Sequence, residues 1–354
     1  MKLRPHPKQA EAIKAPLNKN ICVVAGPGSG KTRVIVERMT YLQTEGIAPE
    51  SIRLVTFTNT AKNEVKSRFK SEDKNRLAES CTTTHGLCRE ILFETEGSDH
   101  YGWQSIGAKK QEKWFVQKLK EKVPSASKHV DLILRIYSYC QHYGLDVRKE
   151  LLKQKSLYLF VTKTMPVIRE YESYKAKNKL IDNTEQLVLA AKALKKKSFA
   201  KKCARKVKYL FVDEAQDLCA LQWKILNEMS ADCKKVYIAG DDDQAIYNWA
   251  GADVEYILGI KAEEEIVLEK SHRLPKNIYN LSRKILKKIN NRKPKEAIPT
   301  KNDGKINYLN SFESIEFDED QEYLILVRNR YQLKSVRERI EQIGLPYYML
   351  NKSS

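Results

Sequence analysis

The segment Gly26-Pro-Gly-Ser-Gly-Lys31-Thr32 follows directly on the apolar run Ile21–Ala25. Alternate glycines let backbone N–H groups curl around phosphate oxygens without Cβ clashes, and a helix beginning at Lys31 adds its N-terminal dipole. In such a loop Pro27 and Ser29 complete the cradle, Lys31 reaches the β- and γ-phosphates, and the Thr32 hydroxyl takes Mg²⁺. The strict pattern has Gly five positions before Gly30, where this chain has Ala25. A second apolar run, Tyr209–Val212, ends in Asp213 and Glu214. Alone, such residues make a solvated turn. Beside a phosphate loop, Asp213 is expected to serve the metal and Glu214 to orient and deprotonate an attacking water. A third run ends in Gly240-Asp-Asp-Asp-Gln244, where the Gln244 amide, which both donates and accepts, could sense a γ-phosphate. Tyr247 reads as a core residue or a base-stacking one. Trp249, between Asn248 and Ala250-Gly251, reads as a stacking residue. Hydrolysis of ATP with Mg²⁺ is the expected chemistry.

Such groups act together only if several strands end at one edge. Strand-length apolar runs occur at Ile21–Ala25, Ile52–Phe57, Lys208–Val212, Lys235–Ala239, Glu265–Leu268 and Tyr323–Val327. Their continuous apolar character predicts strands covered on both faces, hence a parallel sheet between helices. From about Gly97 to Lys197 charged helical patterns replace them, which predicts a helical insertion. The basic stretch Lys195–Lys208 that closes it reads equally as a solvated face or a nucleic-acid contact.

The chain has 354 residues, room for two domains and a small third. Lysine and arginine exceed the acidic residues by 64 − 45 = 19, which points to a polyanionic partner, nucleic acid before membrane. The N-terminus lacks the apolar core of a secretory signal, and no apolar run has membrane-spanning length. Seven scattered cysteines with no C-x-x-C pair argue against a zinc site or disulfide framework, and predict a cytoplasmic protein.

In their order these motifs resemble the UvrD/Rep-like group of superfamily 1 DNA helicases over nearly the whole chain. Leu3-Arg-Pro-His-Pro-Lys-Gln9 is similar to the family's N-terminal glutamine motif, which implies that Gln9 reads the adenine; Arg33, after the P-loop, also fits. Leu54-Val-Thr-Phe-Thr-Asn59 resembles the motif that sets Phe57, Thr58 and Asn59 against single-stranded DNA. Thr83-Thr-His-Gly86 resembles the next DNA-contacting turn, implicating Thr84 and His85. Leu268-Glu-Lys-Ser-His-Arg273 is similar to the segment whose arginine reaches the γ-phosphate, with His272 where the family packs a tyrosine on the adenine. Tyr174–Asp182 resembles the end of the family's insertion, and Leu326-Val-Arg328-Asn with Gly344-Leu-Pro-Tyr347 its early second motor domain, which adds Arg328 to the DNA contacts.

The resemblance implies an α/β fold: a P-loop NTPase with two RecA-like parallel-sheet motor domains, the second incomplete, and a helical insertion in the first. The expected domains are residues 1–96 and 198–258 for the first motor domain, 97–197 for the insertion and 259–354 for the partial second. Asn248 and Ala250 stand where the family carries arginines. The chain stops at Ser354 before the last two family motifs, so it is expected to be truncated, half of a split enzyme, or completed by a second polypeptide. The function expected is ATP-dependent movement along single-stranded DNA, 3′ to 5′ by family implication, in replication, repair or recombination. The alternatives are a DNA-binding ATP switch that barely hydrolyses, and an RNA-directed motor.

Overall fold

The structure, a computed structural model, describes residues 4–69, 72–96, 98–247, 251–318, 320–329 and 331–349. Strands β1 (Ile21–Ala25), β2 (Ile52–Thr56), β3 (Cys81–Thr83), β6 (Tyr209–Val212), β7 (Lys235–Gly240) and β8 (Glu264–Leu268) form one parallel sheet. Its order is β3-β2-β6-β7-β1-β8. Every residue of β1 and β6 is buried, as strands covered on both faces require. Side chains alternate between two layers. Tyr209 and Phe211 join Leu54, Ile35 and Met39 on one face, while Leu210 and Val212 join Val55, Trp223 and Leu226 on the other.

A third core, built on Phe115, Leu119, Ile133, Tyr137, Val167 and Tyr171, belongs to the helical insertion. The insertion is pinched at its neck by two short parallel strands, β4 (Gln104–Ile106) and β5 (Leu180–Asp182). Within it Lys175 is 2% exposed and ion-paired with Asp182 at 2.8 Å and Glu185 at 2.8 Å. The insertion is shorter than the expected 97–197. Leu187, Ala190, Leu194 and Ala200, in the helices Asn183–Ala193 and Lys197–Ala204, pack with Trp223 in the motor core. Their lysine-rich outer faces share the insertion's texture, so composition alone does not separate them.

The chain divides into two compact units, Met1–Lys301 and Asn302–Ser354. This moves the expected boundary at 259, because β8 pairs with β1 in register, Ile21 opposite Glu264 and Ala25 opposite Leu268. Among the described residues of the second unit there is one α-helix, Gln332–Gln342, and no strand. Tyr323–Val327, expected to be a strand, is irregular, with Leu324 and Leu326 exposed. A strand needs a neighbour to satisfy its backbone, and a unit of this length has little apolar area with which to hold one. Among the described residues, no helix is long and apolar enough to cross a membrane.

Candidate functional site

The loop after β1 leads straight into the helix Lys31–Thr44. Gly28 (φ +72°) and Gly30 (φ +84°) lie in the left-handed region that glycine adopts without strain. Both are also crowded: a Cβ on Gly28 would come within 2.5 Å of Arg273 Cβ, and one on Gly30 within 2.7 Å of Gln9 Nε2. Above Gly26, by contrast, a Cβ would meet nothing within 4 Å, which leaves the loop's mouth open. Ala25 departs from the strict loop pattern because it is the last buried residue of β1, where extended backbone accepts a Cβ.

Two segments brace the loop from outside. Gln9 is buried; its Nε2 donates to the Ser29 carbonyl at 2.7 Å, and its Oε1 accepts from the His6 N–H at 2.9 Å. Gln9 thus supports the phosphate loop directly, a role beyond the expected reading of adenine. After β8, the buried Ser271 donates from Oγ to the Pro27 carbonyl at 2.7 Å, and the His272 N–H donates to the Gly28 carbonyl at 2.8 Å. Arg273 and His272 are therefore exposed residues held against the phosphate loop. Desolvation, and then the nearby cations Lys270 and Arg33, lower the His272 pKa from its ordinary value. Arg33 pairs with Glu37 one turn on, at 2.7 Å.

Lys31 crosses the end of β7 to reach the carboxylates at the end of β6. Its Nζ lies 3.6 Å from Asp213 Oδ1 and hydrogen-bonds Glu214 Oε2. Burial pulls the Lys31 pKa down, but Asp213 and Glu214 outweigh it, and the ammonium is held above its ordinary value. Burial drives Asp213 up, opposed by Lys31; Glu214 is desolvated too, yet Lys31 holds it below the usual carboxylate range. Glu214 takes a left-handed backbone (φ +53°), uncommon for a residue with a Cβ, which turns its carboxylate back toward the loop.

A relay missing from the sequence-based residue set continues from there. Gln216 Nε2 donates to Glu214 Oε2 at 2.8 Å, and Gln216 Oε1 accepts the Asp241 N–H at 3.0 Å. Gln244 in turn donates from Nε2 to Asp241 Oδ2, so its exposed side chain is tied to the relay. The signal for Gln216 was its place two residues after a catalytic-type glutamate, but its partner Asp241, just past β7, is a tertiary fact.

Mg²⁺ takes few protein ligands and keeps water and phosphate oxygens. Thr32, in the first turn of its helix, and the buried Asp213 form such a small oxygen set. The Lys31 ammonium already stands at the carboxylates' mouth, which suits the place to a cation.

Past the ends of β2 and β7, Phe57 and Tyr247 meet with ring centroids 5.2 Å apart, both half-buried. Thr58 caps the helix Asn59–Ser67 by accepting the Ala61 N–H at 3.1 Å, and Asn59 beside it is exposed. Thr84 departs from expectation. It is 1% exposed and its hydroxyl accepts from Gln222 Nε2 at 2.8 Å, so it joins two helices inside the core and its side chain is not presented to a ligand. His85 beside it is half-buried, and burial, against a backbone bond to Asn183, lowers its pKa. Arg328 is exposed in the second unit. Trp249, with Asn248 and Ala250, lies outside the described residues.

Comparison with known proteins agrees with this arrangement. The UvrD/REP helicase N-terminal domain family matches residues 6–265. The chain is 28% identical to a Bacillus subtilis protein named ATP-dependent DNA helicase PcrA, over 97% of this chain and 50% of that protein. Proteins of the same name from Staphylococcus epidermidis and Staphylococcus aureus are each 26% identical over the same shares. The chain thus spans about half the length of the curated relatives it matches. A family match over most of the chain, on a parallel sheet whose strand ends carry the phosphate loop and its carboxylates, places this protein in the UvrD/REP helicase N-terminal domain family.

Proposed function

We propose that this chain is the nucleotide-hydrolysing part of an ATP-dependent motor that moves on single-stranded DNA, 3′ to 5′. One observation carries the reading: the Lys31 ammonium lies between Asp213 and Glu214 beside an open glycine loop, on the sheet edge that also presents Phe57 and Tyr247. The relatives' printed name, ATP-dependent DNA helicase, supports it. Loop amides and Lys31 hold the β- and γ-phosphates, and the braces Gln9 and His272 border the base. Thr32 and Asp213 would hold Mg²⁺, which when bound neutralises charge on the phosphoryl oxygens. Glu214 orients and deprotonates the attacking water, while Gln244 and Arg273 sense the γ-phosphate. Phe57 and Tyr247 offer rings to bases without regard to sequence, and the surplus of basic residues meets the phosphates.

ATP turnover by the intact chain, with and without single-stranded DNA, tests this. DNA should stimulate hydrolysis, and Lys31→Ala should abolish it. ATP and DNA binding without turnover would favour the switch reading. Equal competition by single-stranded RNA would remove the preference for DNA.

A further inference from the structure

After the helix Lys276–Leu286 the chain runs back across the acidic turn that follows β7. Lys295, with a side chain 7% exposed, places Nζ 3.0 Å from Asp241 Oδ1 and 3.1 Å from Asp243 Oδ2, and also pairs with Asp242. Arg292 grips Asp243 with two nitrogens, Nε at 2.7 Å from Oδ1. The Lys293 N–H donates to Asp242 Oδ2 at 2.8 Å. Three residues, Arg292, Lys293 and Lys295, thus clasp one turn of three consecutive aspartates from about fifty positions away.

Such a clasp exceeds what a surface turn needs. Asp241 is 0% exposed, and its backbone N–H and side chain are the joint through which Gln216 and Gln244 are held. Glu214, Gln216, Asp241 and Lys295 therefore form one unbroken run of polar contacts, from the proposed base to the segment where the first unit ends. Gln244 and Lys295 line the same cleft as Gly26 and Pro27, a space of about 280 Å³. Among the described residues, Arg292 and Lys295 make no hydrogen bond or ion pair with the phosphate loop, so they act through the turn.

We propose that Arg292 and Lys295 are positioning residues, which fix the Asp241–Gln244 turn so that it responds to a nucleotide in the loop. The proposal rests on the function proposed above. Pulling the 292–295 segment away would free three buried carboxylates at once, and Gln244 with them.

The test is amide hydrogen exchange across residues 241–247 of the intact chain, with and without a non-hydrolysable ATP analogue and Mg²⁺. Lys295→Met strips the deepest charge and is open to misfolding, so Arg292→Gln, at the rim, is measured beside it. In the wild type the analogue should slow exchange of this segment. In Arg292→Gln that protection should be lost, although the analogue binds within about threefold of wild type; DNA-stimulated kcat should fall about tenfold at little-changed KM. Arg292→Lys, which keeps a positive charge toward Asp243, should retain most of the protection. Wild-type protection of residues 241–247 in Arg292→Gln would overturn the proposal while leaving the motor reading intact. A wild-type chain that binds no analogue would instead overturn the motor reading, and this proposal with it.

Discussion

Lys31→Met removes a charge from between two carboxylates while keeping most of the stem. At 3.6 Å from Asp213, and at an effective dielectric near 20, one such pair is worth about 5 kcal/mol. Desolvation of the ammonium offsets part of that, and breaking a buried pair characteristically costs about 3 kcal/mol or somewhat more. For a folded unit of this size, that is a fall in melting temperature of roughly 4–6 °C. The loss should depend on pH with a definite sign. Asp213 is pushed up to about 6 by burial even with Lys31 opposing, and without Lys31 it must rise further. A carboxyl raised in the folded state binds its proton more tightly there than when unfolded, so the penalty is complete above the raised pKa and fades as pH falls through it. Thermal melts of wild type and variant without nucleotide, at about pH 8 and about pH 5, should show a deficit at the higher pH that shrinks at the lower. Nucleotide titration of the same samples should show affinity lost by about a hundredfold or more, because the ammonium also meets the phosphates. A deficit of equal size at both pH values would refute the reasoning, since the carboxylates would then not be what Lys31 neutralises.

Glu214→Gln keeps shape and hydrogen bonding but removes the base, so ATP should bind while turnover drops by about 10²-fold or more; normal turnover would assign the base elsewhere. Phe57→Ala and Tyr247→Ala should each weaken single-stranded DNA about tenfold with the salt slope unchanged, because a stacking contact releases no counterions. As the rings touch, the double variant should lose less than the two single losses combined, and full additivity in a binding titration would contradict a shared platform. Lys175→Met leaves Asp182 and Glu185 without their ammonium partner where the insertion meets the motor core, and should cost about 3–5 kcal/mol there. Limited proteolysis should then cut first within residues 106–171 while ATP still binds; simultaneous loss of ATP binding would mean that the insertion does not fold separately from the site.

Local chemistry was legible in the residues themselves. Glycines at 28 and 30 announce a left-handed loop, continuous apolar runs announce strands buried on both faces, and acidic residues after such runs announce a functional edge, because each signal is a backbone or solvation requirement met within a few neighbouring positions. Five of the six expected strands form on that basis. What spacing could not reveal was partnership across the sheet. Lys31 and Glu214 are 183 positions apart, and strand order alone brings them together. The same holds for Gln216 on Asp241, for Lys295 on three aspartates, and for Gln222, which turns Thr84 inward. Composition misplaced residues 183–197 because an exposed lysine face looks alike whichever core lies beneath it. It also misplaced Tyr323–Val327, since an apolar run becomes a strand only when another strand lies alongside to take its hydrogen bonds. Sequence determines which conformations a segment accepts; the tertiary structure decides which distant groups share the cost of burying charge.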